Sequence, residues 1–442
     1  MTVHFFRTTN KNDLFQEVTV EKTSNHTDVL SLDSAQYGQT IDGFGASFTD
    51  SSAFLVDEVI DEKEKVMQKL FDPKEGIGLS ILRNPMGASD YARTIYSYDD
   101  QVEGKTDLNL KHFSINHDRK SILPLTKWAQ ALNPELKVFA SPWSAPGWMK
   151  DSQKMVTGRL QKEYYPVYAQ YFVKFIEAYQ KEDVPIYAVT PQNEPLYEPE
   201  NYPGMFFPAK EEATFVQSYL KPALKKAGLQ TKIFGYDHNW DRVDYPFELL
   251  DRAYDAFDGI AWHWYGGFPA SQSRVSHYFS EKEIHFTEGS GGDWIPAFEP
   301  AFSNLICQGI EILRHGSKSF VLWNIALDEK NGPTVPNFGR STCRGLIAVN
   351  QKTKAYEYTL DYYGLAHFSK YIRPGAKRIV TKQTKSLKNV AFKNVDDSFV
   401  VVLFNDSSSE KKVLITDSKK NLGIMTLPAK SAGTFFQSNK TE

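Results

Sequence analysis

The sequence predicts a (β/α)₈ barrel carrying a β-sandwich built from both chain ends, and three observations predict it. Between residues 40 and 368, apolar strand-like runs alternate with amphipathic helical segments, the pattern of a parallel α/β fold. Eight such runs occur in that span, as a closed eight-unit barrel requires. Past residue 370 the helical period vanishes, and short strands joined by polar turns follow.

The first forty residues read as strands: Phe15–Val20 and Val29–Leu32 alternate roughly with period two. The eight barrel runs are Thr40–Ser47, Gly78–Pro85, Leu136–Trp143, Pro185–Pro191, Thr231–Tyr236, Gly259–Trp264, Glu283–Thr287 and Ser319–Asn324. Between them, Tyr168, Phe172, Phe175 and Tyr179 recur on one helical face, and Glu211–Lys226 and Ala301–His315 read similarly. A doubly wound open sheet is the alternative, but Ile41–Gly45 is too short for the glycine-rich turn that such a sheet usually carries. After the barrel, Asn389–Asn394, Asp397–Phe404, Lys412–Thr416 and Ala432–Phe436 read as strands. The N-terminal strands have no other partner, so residues 1–39 and 369–442 are expected to share one sandwich beside a barrel of residues 40–368.

Of the 442 residues, 41% are hydrophobic and 24% charged, the balance of a globular protein. A net charge of −3 gives no basic footprint for nucleic acid. No apolar run is long enough to span a bilayer. Met1–Arg7 has no apolar signal core, so a cytoplasmic location is expected. Cys307 and Cys343 make neither a disulfide framework nor a metal-spaced cluster, and Cys307 sits in an apolar helical stretch. No motif calls for a cofactor, and the sequence sets no oligomeric state.

Barrel enzymes place their chemistry at the C-terminal ends of the strands. The fourth run ends in Thr190-Pro-Gln-Asn-Glu-Pro195 and the seventh in His285-Phe-Thr-Glu288, so each delivers one glutamate to the same rim. Two facing carboxylates split a glycosidic bond when one protonates the leaving oxygen and the other attacks the anomeric carbon. Glu194 and Glu288 are therefore the expected catalytic pair. Asn193 offers an amide to a sugar hydroxyl. Arg83 is expected to keep the nucleophilic carboxylate ionised, and Tyr265 to donate to the same group.

The rim also collects Asp50, Asn84, Trp143, Trp148, Trp264 and Trp323, a set suited to a neutral polyhydroxylated ligand, although each Trp also suits simple core packing. His263 lacks a second His or Cys at metal spacing, so no metal site is expected. His285 reads as a core histidine. The turn Gly289–Gly292 lacks a following Lys or Arg and is a weak phosphate signal.

These motifs resemble glycoside hydrolase family 30, the group containing acid β-glucosidase. The matching stretches are Gly43-Phe-Gly with Thr49-Asp50, Gly76–Met86, Ala140–Met149, Thr190–Pro195, His263-Trp-Tyr265, Thr287-Glu288, Trp323–Leu327 and His367–Gly375. The resemblance spans nearly the whole chain. It implies a retaining mechanism without a cofactor, Glu194 as acid/base and Glu288 as nucleophile. It also implies that Asp50, Trp143, Asn193 and Trp323 hold the sugar, with Asn337 lining the site; His263 and Tyr265 complete the expected substrate-binding set.

The chain departs from the family's lysosomal pattern in lacking a secretion signal and a cysteine-bridged N-terminus. The leading expectation is an exo-acting β-glucosidase of the glucosylceramidase type, marked by Asp50 and Trp143 closing around one terminal sugar. The alternatives are a β-xylosidase, β-fucosidase or endo-β-1,6-glucanase of the same chemistry, and a non-catalytic carbohydrate-binding barrel.

Overall fold

The computed structural model describes residues 2–438 except 10–12, 23–24, 33–35, 296–297, 383–385 and 418–419. Eight parallel strands close into a barrel: β1 (Gly43–Ser47), β2 (Ile81–Pro85), β3 (Lys137–Ser141), β4 (Ile186–Val189), β5 (Lys232–Asn239), β6 (Gly259–His263), β7 (Glu283–Glu288) and β8 (Ser319–Asn324). β8 pairs with β1 to complete the ring. Helices cover the outside, so both faces of most strands are buried, which is why they read as continuous apolar runs.

Ile81, Phe139, Ala188, Phe234, Ala261 and Val321 fill the barrel interior as one cluster. Because side chains alternate along a strand, Arg83, Ser141, His263 and Trp323 stand two residues further on the same inward faces. β5 breaks this rule. Its pairing with β6 jumps from Ala261↔Tyr236 to Trp262↔His238, and Tyr236 and Asp237 have φ of 76° and 56°. The bulge turns Asp237 toward the interior, where simple alternation would have continued from Phe234 to Tyr236.

Both chain ends enter one antiparallel sheet of seven strands, ordered Gln16–Val18, Thr2–Thr8, Ser431–Ser438, Phe399–Asn405, Leu387–Lys393, Lys377–Ile379, Tyr37–Thr40. A second sheet of Lys420–Leu427, Lys411–Asp417 and Asp28–Ser31 packs on it. Phe5, Leu30, Val401, Leu403, Ile415, Met425 and Phe435 share the core between them. The run expected as Thr40–Ser47 divides here. Thr40 ends a sandwich strand, and Gly43, at φ 148°, swings the chain into β1. His367, on the last barrel helix, lies 2.9 Å from Thr434 Oγ1 and 2.8 Å from Thr8 Oγ1, fastening barrel to sandwich.

Candidate active site

Arg83 is the hub of the barrel's C-terminal mouth. Its Nη1 donates to Glu288 Oε2 at 2.8 Å, and its Nη2 donates to Asn193 Oδ1 and Asp237 Oδ2, both at 2.7 Å. The rings of Trp143 and Trp323 lie 5.1 and 5.8 Å from the guanidinium and 4.9 Å from each other. Tyr265 Oη donates to Glu288 Oε1 at 2.9 Å, so each oxygen of that carboxylate has its own donor.

Glu194 sits in the turn after β4, at φ 46°, and its backbone N–H bonds the carbonyl of Asp237. His263 bridges the carboxylates: Nδ1 is 3.2 Å from Glu194 Oε1, and Nε2 is 3.0 Å from Asp237 Oδ1. One oxygen of Glu194 and one of Glu288 lie within 4.8 Å of each other, with a His263 nitrogen in the same sphere.

Asp237 also accepts from Ser141, Thr190 and Thr287. Burial opposes its charge, yet Arg83 and His263 hold it far below the usual carboxylate range. Burial would likewise lower His263, but Glu288 and Asp237 outweigh it, and its pKa is pushed up to about 9. Burial raises Glu194 and Glu288 alike. The histidines beside Glu194 reverse that and leave it lowered. Glu288 stays raised, because Glu194 and Asp237 oppose the pull of His263 and Arg83. These opposite shifts favour the proton on His263 over Glu194.

A cavity of about 320 Å³ opens over this network. Asp90, Trp143, Asn193, Glu194, His238, Tyr265, Glu288, Trp323, Phe338 and Cys343 line it. Three expected substrate contacts are placed elsewhere. Asp50 begins the short helix Asp50–Phe54 and is absent from the lining; its carboxylate is held by Arg93 and by His117 at 2.8 Å. Asn337 is exposed, and its neighbour Phe338 faces the cavity instead. His263 is fully buried and reaches carboxylates, not the lining.

Asp90, Asp237 and His238 escaped the sequence reading. Asp90 lines the cavity, and its Oδ1 is buried without a hydrogen-bond partner. Burial first, then Glu288 and Glu194, push its pKa well above the usual carboxylate value. The available signal was the first aspartate in the loop after β2, seven residues beyond Arg83.

Trp148 is core, donating to Asp99 O at 2.8 Å, and His285 is buried inside the barrel, 3.0 Å from Ser319 Oγ. Gly289 is required by packing: a Cβ there would stand 2.5 Å from the Trp264 ring. The turn after it meets Arg344, which donates to the carbonyls of Gly292 and Ile295.

Glu194, His263 and Glu288 could jointly ligate a metal ion, as could Asp42, Glu283 and His285. In both groups protein cations already face the carboxylates: Arg83 in the first, Lys137, Lys232 and Lys318 in the second. Among the described residues, no helix is long and apolar enough to cross a membrane.

The family model for the glycosyl hydrolase family 30 TIM-barrel domain matches residues 41–372, and that for the family's β-sandwich domain matches 375–435. The chain is 32% identical over 418 residues to the endo-1,6-β-D-glucanase of Neurospora crassa, covering 89% of this chain and 84% of that protein. It is 28% identical over 428 residues to the lysosomal acid glucosylceramidase of Mus musculus, covering 88% and 79%. The solved endo-β1,6-glucanase BT3312 superposes with a TM-score of 0.91 at 30% identity, covering 99% of this chain and 100% of that one.

Proposed function

The chain belongs to glycoside hydrolase family 30 and is a glycosidase, and from that premise we propose that it cleaves internal β-1,6-glucosidic bonds of a glucan by double displacement. Glu288 is the nucleophile and Glu194 the acid/base. The observation that carries the chemistry is the approach of the two carboxylates to within 4.8 Å. Retaining enzymes hold theirs about 5–5.5 Å apart, whereas an inverting pair needs roughly 6.5–9.5 Å to admit a water.

Glu288, steadied by Arg83 and Tyr265, attacks the anomeric carbon. Glu194 gives the leaving oxygen a proton, which His263 can pass to it across 3.2 Å. Once the glucosyl ester has formed, Glu194 takes a proton from the attacking water and the ester opens. Asn193 Oδ1 is occupied by Arg83, which leaves its amide N–H groups for a sugar hydroxyl. Asp90, whose carboxyl is pushed toward its protonated form, offers a further hydrogen bond when it holds that proton.

The linkage reading is supported by the relatives named endo-1,6-β-glucanases, in sequence and in structure. They favour this alternative over the exo-acting glucosidase. The exo reading also loses the Asp50–Trp143 closure it drew on, because Asp50 is turned toward Arg93 and His117. The test is the size distribution of products from a soluble β-1,6-glucan. Endo action shortens the average chain before glucose accumulates. Glucose released alone from the outset would support the exo reading, and an intact polymer would overturn the linkage.

A further inference from the structure

From the cavity's walls we infer that Tyr197 is the stacking platform for the sugar unit on the leaving-group side of the scissile bond, and so a residue that determines preference for a glucan over a single-sugar glycoside. The inference rests on the glucan reading above and adds to it where the second sugar lies.

A row of aromatic rings runs from the cavity floor to its rim. Successive ring centroids are 4.9 Å apart from Trp143 to Trp323, 6.3 Å to Tyr91, 6.3 Å to Phe338, 5.6 Å to Tyr202 and 6.4 Å to Tyr197. Trp143 and Trp323, at 3% and 2% exposure, form the buried end. Tyr197, at 50%, is the open end. A single exposed tyrosine is ordinary on a protein surface. This one lines the cavity together with Trp143, Trp323, Phe338 and Tyr202, while Tyr91 packs behind them.

Its position relative to the chemistry is fixed by the backbone. The Tyr197 N–H donates to the carbonyl of Glu194 at 2.9 Å, so the ring stands one tight turn from the acid/base. Whatever flanks the acid/base flanks the oxygen that it protonates, which is the leaving-group side. Asn201 Nδ2 donates to Phe338 O at 2.7 Å and ties the loop after β4 to the loop after β8, keeping the wall in register. The sugar on Trp143 and Trp323 is thus followed, across the bond to be broken, by a half-exposed ring able to stack on the apolar face of the next unit.

The test compares wild type, Tyr197→Ala and Tyr197→Phe on β-D-glucosyl fluoride, whose leaving group has no ring to stack, and on β-1,3-, β-1,4- and β-1,6-linked glucotetraoses. The alanine variant is expected to lower kcat/KM for the cleaved tetraose relative to the fluoride on the order of tenfold, chiefly through KM. The phenylalanine variant restores the ratio, since the ring carries the effect. An unchanged ratio, or equal loss on both substrates, overturns the platform. The linkage is read separately, from which tetraose wild type cleaves. Cleavage of a different linkage overturns that reading alone, and the Tyr197 comparison is made on that substrate. A wild type that turns over the fluoride and no tetraose overturns both.

Discussion

Arg83 and Asp237 form an ion pair at 2.7 Å with side-chain exposures of 1% and 0%, and the same guanidinium bonds Glu288. Asp237→Asn keeps the shape but leaves Arg83 and His263 without their shared counter-charge. Breaking one side of a buried pair costs roughly 3–5 kcal/mol. Denaturant unfolding is expected to show a loss of that order, and kcat to fall with it as Glu288 loses its positioning. Unchanged stability would show that the pair contributes nothing to the fold.

His263 gives a pH dependence with a definite sign. Its folded pKa, about 9, lies above its unfolded value, because Glu288 and Asp237 outweigh burial. The stability it contributes is therefore full below the unfolded value of about 6.5 and is lost as pH rises through about 9. Wild-type unfolding free energy should fall over that window. His263→Gln should flatten the fall, which denaturant titrations across the window would read. A variant curve parallel to wild type would refute the assignment.

Asp90 is expected to act as a neutral donor, which asparagine can imitate and alanine cannot. Leaving a polar partner unsatisfied costs about 1–3 kcal/mol, so Asp90→Ala should lose roughly 5- to 150-fold in kcat/KM. Asp90→Asn should lose less. Steady-state kinetics on one aryl β-glucoside would rank the two, and equal losses would mean that Asp90 acts as a charged group.

Azide separates the roles of the two glutamates. In Glu194→Ala the glucosyl ester still forms on Glu288 from a substrate with a good leaving group, and azide then displaces it to give the β-glucosyl azide. In Glu288→Ala no ester forms, and azide entering the vacated space gives the α-glucosyl azide. Product stereochemistry reversed between the two variants would exchange the assignments.

The barrel, the double-ended sandwich and the meeting of Glu194 and Glu288 at one rim were legible because each has a local signature: eight buried apolar runs, a late loss of helical period, and carboxylates at strand ends. What escaped was side-chain direction. Asp50 and Asp90 both follow strands on the same rim, but Thr49 caps a helix through Ser52 N, and Asp50 turns with it toward Arg93. Asn337 and Phe338 are adjacent, and loop geometry alone decides that the ring faces inward. Asp237 was hidden because a bulge broke the period-two alternation from which inward residues are read.

The most direct measurement is proton NMR of the anomeric region during the first turnovers of wild type on a β-1,6-glucan. Double displacement through Glu288 predicts that the new reducing ends appear first as the β-anomer, with the α-anomer growing only by mutarotation. The α-anomer appearing first would contradict it, because carboxylates within 4.8 Å leave no place for the water that inversion needs.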